Sequence, residues 1–174
     1  MPLIYITGVS GSGKSSVQHT LQKCGYEAFD VDDPTVSGVY NNKTGIRVSM
    51  PPVAQRSAAW FTKHSWLIVP GAIEKLKAES DDHIVLLCGA TRNEKKYWHL
   101  FDAVICLDVS EKTLRQRIND RQDNDYGKND HELQSILDWH KKATTNYKYL
   151  GAHVIDANWP LASVVDEVLK LAIP

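Results

Sequence analysis

The sequence predicts an α/β fold built on a parallel sheet. Five short apolar runs recur along its 174 residues: Leu3–Thr7, Tyr26–Phe29, Ile84–Cys88, Ala103–Asp108 and His153–Asp156. Segments with helical spacing separate them, and that alternation is the pattern of strands joined by helical crossovers. The third run is almost wholly apolar, as expected of a strand covered on both faces. In such a sheet ligands gather at the carboxyl ends of the strands, and the chemistry-bearing residues of this chain follow those ends.

The first run delivers the chain into Gly8-Val9-Ser10-Gly11-Ser12-Gly13-Lys14-Ser15, a Gly-x-x-x-x-Gly-Lys-Ser pattern. Glycines without a Cβ let successive backbone N–H groups curl around an anion. Lys14 supplies a cation, and Ser15 a hydroxyl suited to Mg²⁺. Val17, Leu21 and Cys24 then recur at helical spacing with Gly25 as a stop, so the positive end of a helix faces the phosphates. The pattern assigns nucleotide binding to Gly8, Ser10, Gly11, Ser12, Gly13, Lys14, Ser15 and Ser16.

The second strand ends in Asp30-Val31-Asp32-Asp33-Pro34, three carboxylates at one strand end. From Thr35 to Pro52 the polar texture and the breakers Gly45 and Pro51-Pro52 predict a surface loop or small hairpin. Val53 to His64 reads as helix, and a second short helix with Ile73 and Leu76 inward follows Pro70-Gly71. A helix rich in Tyr97, Trp98 and Leu100 precedes the fourth strand. Ser110 caps a helix running to about Arg121, and the polar stretch Gln122 to Asp130 reads as mobile. Leu133, Ile136, Leu137, His140, Thr144 and Tyr147 define a long amphipathic helix. The last helix buries Leu161, Val164, Val165, Val168 and Leu169.

A formal net charge of -1 with interspersed signs gives no reason to expect a nucleic-acid or membrane partner. Cys24, Cys88 and Cys106 lack metal or redox spacing and read as small core residues in a reducing compartment. The first strand begins by Leu3, leaving no room for a leader, and no apolar run approaches the roughly 20 residues of a membrane span. The expectation is one cytoplasmic unit over residues 1–174, a monomer or weak homodimer.

With these residues in place, the chain resembles the small P-loop kinases of the adenylate kinase, shikimate kinase and gluconate kinase group over nearly its whole length. The resemblance implies a P-loop NTPase three-layer sandwich with a five-stranded parallel sheet in the order 2-3-1-4-5. It also implies ATP and Mg²⁺ as cofactors, an acceptor-binding region at about 34–80 and a short lid at about 121–131. Phe29-Asp30-Val31-Asp32 looks like the Asp-x-Asp of shikimate kinases, which assigns Asp30 to Mg²⁺ beside Ser15 and Asp32 to the acceptor hydroxyl. Asp108, at the end of another buried run, is the alternative metal residue. Arg117 and Arg121, four apart on one helical face, look like lid arginines that stabilise charge on the transferring group. Asp156-Ala157-Asn158-Trp159-Pro160 stands where the family's adenine loop lies, which brings in Asn158 and Pro160. Arg56, Gly89 and Arg92 are the candidates for acceptor contacts, and Trp60, His64 and Trp66 for the pocket wall.

The function that follows is γ-phosphoryl transfer from Mg·ATP to a small acceptor, with Lys14, Arg117 and Arg121 as catalytic cations and Asp32 as base. A neutral alcohol must lose a proton as its bond to phosphorus forms, whereas a nucleoside monophosphate attacks with an oxygen that is already anionic. The paired aspartates therefore favour a hydroxyl-bearing metabolite or nucleoside. A nucleoside monophosphate kinase and an ATP-binding regulator with little turnover are the alternatives.

Overall fold

The computed structural model describes residues 2–80 and 83–173. In chain order its elements are β1 (Leu3–Thr7), α1 (Lys14–Lys23), β2 (Glu27–Asp30), β3 (Ser37–Asn41), β4 (Arg47–Val48), α2 (Ala58–Lys63), β5 (His64–Ile68), α3 (Ala72–Glu79), β6 (Val85–Cys88), β7 (Ala103–Asp108), α4 (Glu111–Asp120), α5 (Asp130–Tyr149), β8 (His153–Asp156) and α6 (Leu161–Ala172). Tight 3-10 turns cover Val53–Gln55 and Glu94–Leu100.

Five strands form the main sheet in the order β2-β6-β1-β7-β8, and every pairing in it is parallel. Counted among themselves along the chain, these strands run 2-3-1-4-5, as the resemblance implies. All of β1 and all of β6 are buried, so their near-continuous apolar sequences answer to cover on both faces. On this sheet pack α1, which also meets α6, and α5, which lies over β7 and β8. The core includes Leu3, Ile4, Ile6, Leu86, Leu87 and Ile105 from the three central strands, with Leu114 and Val168 from the helices over them.

The segment between β2 and β6 holds more strand than its sequence suggests. A second, antiparallel sheet of three strands runs β4-β3-β5, where a surface loop or small hairpin and a single helix were expected. The hairpin exists, as β3 and β4, but β3 is inward: Ser37, Gly38 and Val39 are buried. Polar Ser37 survives there because its hydroxyl donates to the carbonyl of Val31. Gly38 lets the guanidinium of Arg47 lie across the strand, where an added Cβ would sit 2.5 Å from Arg47 Nε. The stretch expected as helix from Val53 to His64 breaks into a 3-10 turn and the short α2, capped by the Ser57 hydroxyl. His64 then enters β5, whose register against β3 pairs Val39 with Trp66.

Smaller departures have the same origin, local pattern yielding to packing. Cys24 is exposed at the end of α1, and Leu161 is 43% exposed at the start of α6. The stretch around Tyr97 and Trp98 is a 3-10 helix. Among the described residues no helix is long and apolar enough to cross a membrane.

Gly89 closes the end of β6 by close approach: a Cβ built there would lie 1.8 Å from Cγ1 of Val31, a buried side chain. Its N–H also donates to the carbonyl of Ile6 on the neighbouring strand. Gly89→Ala is therefore expected to cost about 1–3 kcal/mol of stability by overpacking. Urea unfolding checks this, and a midpoint equal to that of the parent chain would contradict it.

Candidate active site

Between β1 and α1 the chain turns through three glycines in left-handed conformations, Gly8 at φ 143°, Gly11 at 89° and Gly13 at 107°. A Cβ at Gly8 would lie 2.6 Å from the carbonyl oxygen of Leu107, so the loop is pressed against β7. Gly13 is the N-cap residue of α1 and provides no side-chain cap. The first-turn N–H groups of a ten-residue helix are thereby left to an anion. Lys14 Nζ donates to the carbonyls of Gly8 at 2.7 Å and Val9 at 2.9 Å. Burial draws its pKa down to about 8 against the opposing pull of Asp32.

This loop forms one end of an elongated cleft of about 1240 Å³. Ser10, Gly11, Ser12, Gly13, Lys14, Ser15 and Ser16 line that end. Gly8 does not line it, and its carbonyl is taken by Lys14. The Arg117 guanidinium reaches from α4 to the carbonyls of Ser12 at 2.9 Å and Ala157 at 2.8 Å, tying the phosphate loop to the loop after β8. Arg121 donates to Ser10 Oγ at 3.2 Å through both terminal nitrogens, and also to the carbonyl of Tyr126. Both arginines line the cleft, and their elements bring them to its phosphate end.

Beside the loop, β2 ends with Asp30 and Asp32 facing the cleft. The Asp30 carboxylate accepts from the N–H of Asp32 at 2.9 Å, which sets the turn between them. Asp32 is exposed to solvent where it lines the cleft, while protein crowds its carboxylate. Burial first, and then the Asp30 charge, push its pKa up to about 6 against the pull of Lys14. The buried indole N–H of Trp66, on the same cleft, has no hydrogen-bond partner. Asp108, by contrast, is outside the cleft lining, and its carboxylate accepts a 2.7 Å hydrogen bond from Thr144 Oγ1.

Gly89 and Arg92 line the cleft, with the Arg92 N–H donating to the carbonyl of Trp66. Trp60, His64 and Trp66 form one wall, His64 stacking on Trp60 with ring centroids 4.4 Å apart. Arg56 also lines the cleft, but it is bound by protein carboxylates: Nη2 is 2.8 Å from Asp125 and Nε 3.7 Å from Glu132. Asn158 and Pro160 do not line the cleft. Asn158 Oδ1 accepts from Ser110 N and Thr113 Oγ1, its Nδ2 donates to Asp156, and Pro160 is the N-cap of α6. Ala157, Trp159 and Leu161 line the cleft instead.

Sequence reasoning passed over Glu132 and Glu94, both buried. Asn129-x-x-Glu132 has the spacing of a capping box, and Asn129 Oδ1 does accept from Glu132 N at 2.9 Å. The Glu132 side chain turns inward, however, and accepts from Gly127 N at 2.7 Å, fixing the turn before α5. Glu94 accepts from Tyr5 Oη at 2.7 Å, Tyr147 Oη at 2.6 Å and Thr91 N at 3.1 Å. It pins β1, α5 and the end of β6 together just below the phosphate loop. A tyrosine on a strand facing a glutamate 89 residues away leaves no local signal.

A glycine-rich loop opening a helix at the carboxyl edge of a parallel sheet, with lysine and paired carboxylates beside it, defines a P-loop nucleotide-binding protein. The family model described as AAA domain matches residues 4–138. The chain belongs to that family. Its fold is also that of the small P-loop kinases. A shikimate kinase from Acinetobacter baumannii in complex with shikimate superposes with a TM-score of 0.64 at 20% identity, covering 98% of this chain and 92% of that one. A gluconokinase from Sinorhizobium meliloti 1021 gives 0.54 at 21% identity, covering 98% and 93%. A deoxyadenosine kinase from M. mycoides, with products dCMP and dCDP bound, gives 0.53 at 17% identity, covering 97% of each chain. No curated protein sequence matches the chain.

The raised pKa of Asp32 has a consequence for stability. Its proton is held more tightly in the folded chain than in the unfolded one, so the ionised carboxylate opposes folding above about pH 6. That penalty fades as pH falls through 6 toward the ordinary carboxylate range. Asp32→Asn is expected to raise the Tm of the nucleotide-free protein at neutral and alkaline pH, with the gain vanishing in acid. A gain that grows on acidification would contradict the assignment.

Proposed function

We propose that this protein transfers the γ-phosphoryl group of ATP to a hydroxyl group of a small molecule. The observation that carries the reading is the meeting, in one cleft, of an uncapped phosphate-loop helix with Lys14 and a solvent-reached Asp32 at its side. A nucleotide binder without turnover needs the first of these and has no use for the second.

In this reading the loop N–H groups and Lys14 bind the β- and γ-phosphates. Arg117 and Arg121 exchange part of their carbonyl and hydroxyl contacts for phosphate oxygens. Ser15 and Asp30 offer a hydroxyl and a carboxylate, hard oxygen donors that suit Mg²⁺, an ion that keeps several waters and arrives with the nucleotide. When bound, the ion neutralises charge on the phosphate oxygens. The acceptor oxygen forms a bond to the γ-phosphorus as the bond from that phosphorus to the β–γ bridging oxygen breaks. The hydroxyl proton passes to the Asp32 carboxylate, and ADP leaves. A base with a pKa of about 6 is ionised at neutral pH yet retains some proton affinity, the compromise general-base catalysis favours. Ala157, Trp159 and Leu161, joined to the phosphate loop through Arg117, supply surface for the adenine ring.

The test is acceptor-dependent ADP release across a panel of hydroxyl compounds, measured against a blank without acceptor. Once an acceptor is found, kcat/KM for it should rise with pH through about 6 and then level. In Asp32→Asn that limb should disappear and kcat should drop about a hundred- to ten-thousand-fold, with little change in KM for ATP. Robust turnover of nucleoside monophosphates that survives Asp32→Asn would overturn the hydroxyl assignment.

A further inference from the structure

Between α4 and α5 the chain makes a tight turn, Asp125-Tyr126-Gly127-Lys128, closed by the Lys128 N–H on the Asp125 carbonyl at 3.2 Å. Gly127 sits at φ 93°, whereas Tyr126 keeps a negative φ. Those angles define a type II turn, which favours glycine at its third position. Type I and type II turns differ mainly in the orientation of their central peptide unit. Here that unit joins Tyr126 to Gly127, and flipping it would reverse both the Tyr126 carbonyl and the Gly127 N–H.

Both ends of this peptide unit are held by side chains. Its carbonyl accepts from Nη2 of Arg121, and its N–H donates to Glu132 Oε2 at 2.7 Å. Glu132 is 1% exposed, and its other oxygen lies 3.7 Å from Nε of Arg56, whose Nη2 is 2.8 Å from Asp125. A carboxylate can only accept, so it selects the orientation in which Gly127 presents its N–H and opposes the flipped one, which would present a carbonyl. The selected orientation is the one that turns the Tyr126 carbonyl toward Arg121. Arg121 follows the last residue of α4, and its other guanidinium contacts are two to Ser10 Oγ, both 3.2 Å, at the long end of the hydrogen-bonding range. A phosphate oxygen can replace that hydroxyl while the Tyr126 carbonyl keeps Nη2 in place.

We propose that Glu132 is a positioning residue for Arg121: by fixing the Tyr126–Gly127 peptide it aims the Arg121 guanidinium at the γ-phosphate. This rests on the kinase reading above, in which Arg121 meets the transferring group, and deepens it. Arg56 backs the relay by pairing with Glu132 and with Asp125, the first residue of the turn.

The experiment measures the affinities of the full chain for Mg·AMP-PNP and Mg·ADP by calorimetry, without acceptor, since the ratio of the two isolates the γ-phosphate. Arg121→Ala should lower that ratio about tenfold, the loss of a charge-assisted hydrogen bond. Glu132→Ala should lower it by a similar factor with little change in ADP affinity. In an Arg121→Ala background it should add less than about threefold, because the two residues act in series. Glu132→Gln keeps an oxygen for the Gly127 N–H and should hold the ratio within about threefold of wild type. Gly127→Ala disfavours the type II turn without touching Glu132 and should reproduce the loss, which keeps the test open if Glu132→Ala does not fold. A wild-type ratio in folded Glu132→Ala or Gly127→Ala, or an equal loss of both nucleotides, overturns this inference and leaves the kinase reading intact. A ratio lost as fully in Glu132→Gln as in Glu132→Ala assigns the effect to charge and overturns the peptide relay. A ratio unchanged in Arg121→Ala defeats the role of Arg121 in the kinase reading and this inference with it.

Discussion

Much of this site is placed by the grip of the sheet edge on the phosphate loop. Lys14 is held by two carbonyls of its own loop, Gly8 is pressed against Leu107, and Arg117 clamps Ser12 to Ala157 across the carboxyl ends of β1, β7 and β8. A loop with three left-handed glycines would have many conformations in isolation. Here its carbonyls and N–H groups point in fixed directions before any phosphate arrives, so little ordering cost is deferred to binding. The same rigidity gives Asp30 and Asp32, two strands away in the sheet, a fixed position relative to Lys14.

Below the loop, Glu94 extends that grip inward. A buried carboxyl held by two tyrosine hydroxyls and a backbone N–H joins β1, α5 and the turn after β6, and burial raises its pKa. Breaking one partner would leave an unsatisfied polar group in the core, a cost of about 1–3 kcal/mol. Glu132 plays the corresponding part above the loop, where it ties Gly127 and Arg56 to the start of α5. Each of these two buried glutamates links elements far apart in sequence.

The parallel sheet and the phosphate loop were legible in the sequence because both are written locally. Continuous apolar runs specify doubly covered strands, and glycine spacing before Lys14 specifies the turn. The small antiparallel sheet was not. Ser37-Gly38-Val39 has no strand-like alternation, and its burial depends on Val31 and Arg47, partners that no local window contains. Arg56 shows the same limit in the site itself. A lone arginine in an acceptor region reads as a free cation, and only the fold reveals the carboxylates that occupy it. In the loop after β8 the Asn158 side chain braces Ser110 and Thr113 while Trp159 lines the cleft, a division of roles set by partners far away in sequence.

The central claim is that phosphorus moves from ATP to a carbon-bound hydroxyl, and its most direct test follows the γ-phosphate itself. Wild-type protein is incubated with ATP labelled in that phosphate and with the hydroxyl panel, and the label is traced by product separation. Label recovered in a phosphomonoester, and reduced about a hundredfold or more in Lys14→Ala, is the predicted result. Label found only in ATP and inorganic phosphate, whatever hydroxyl compound is present, would contradict it.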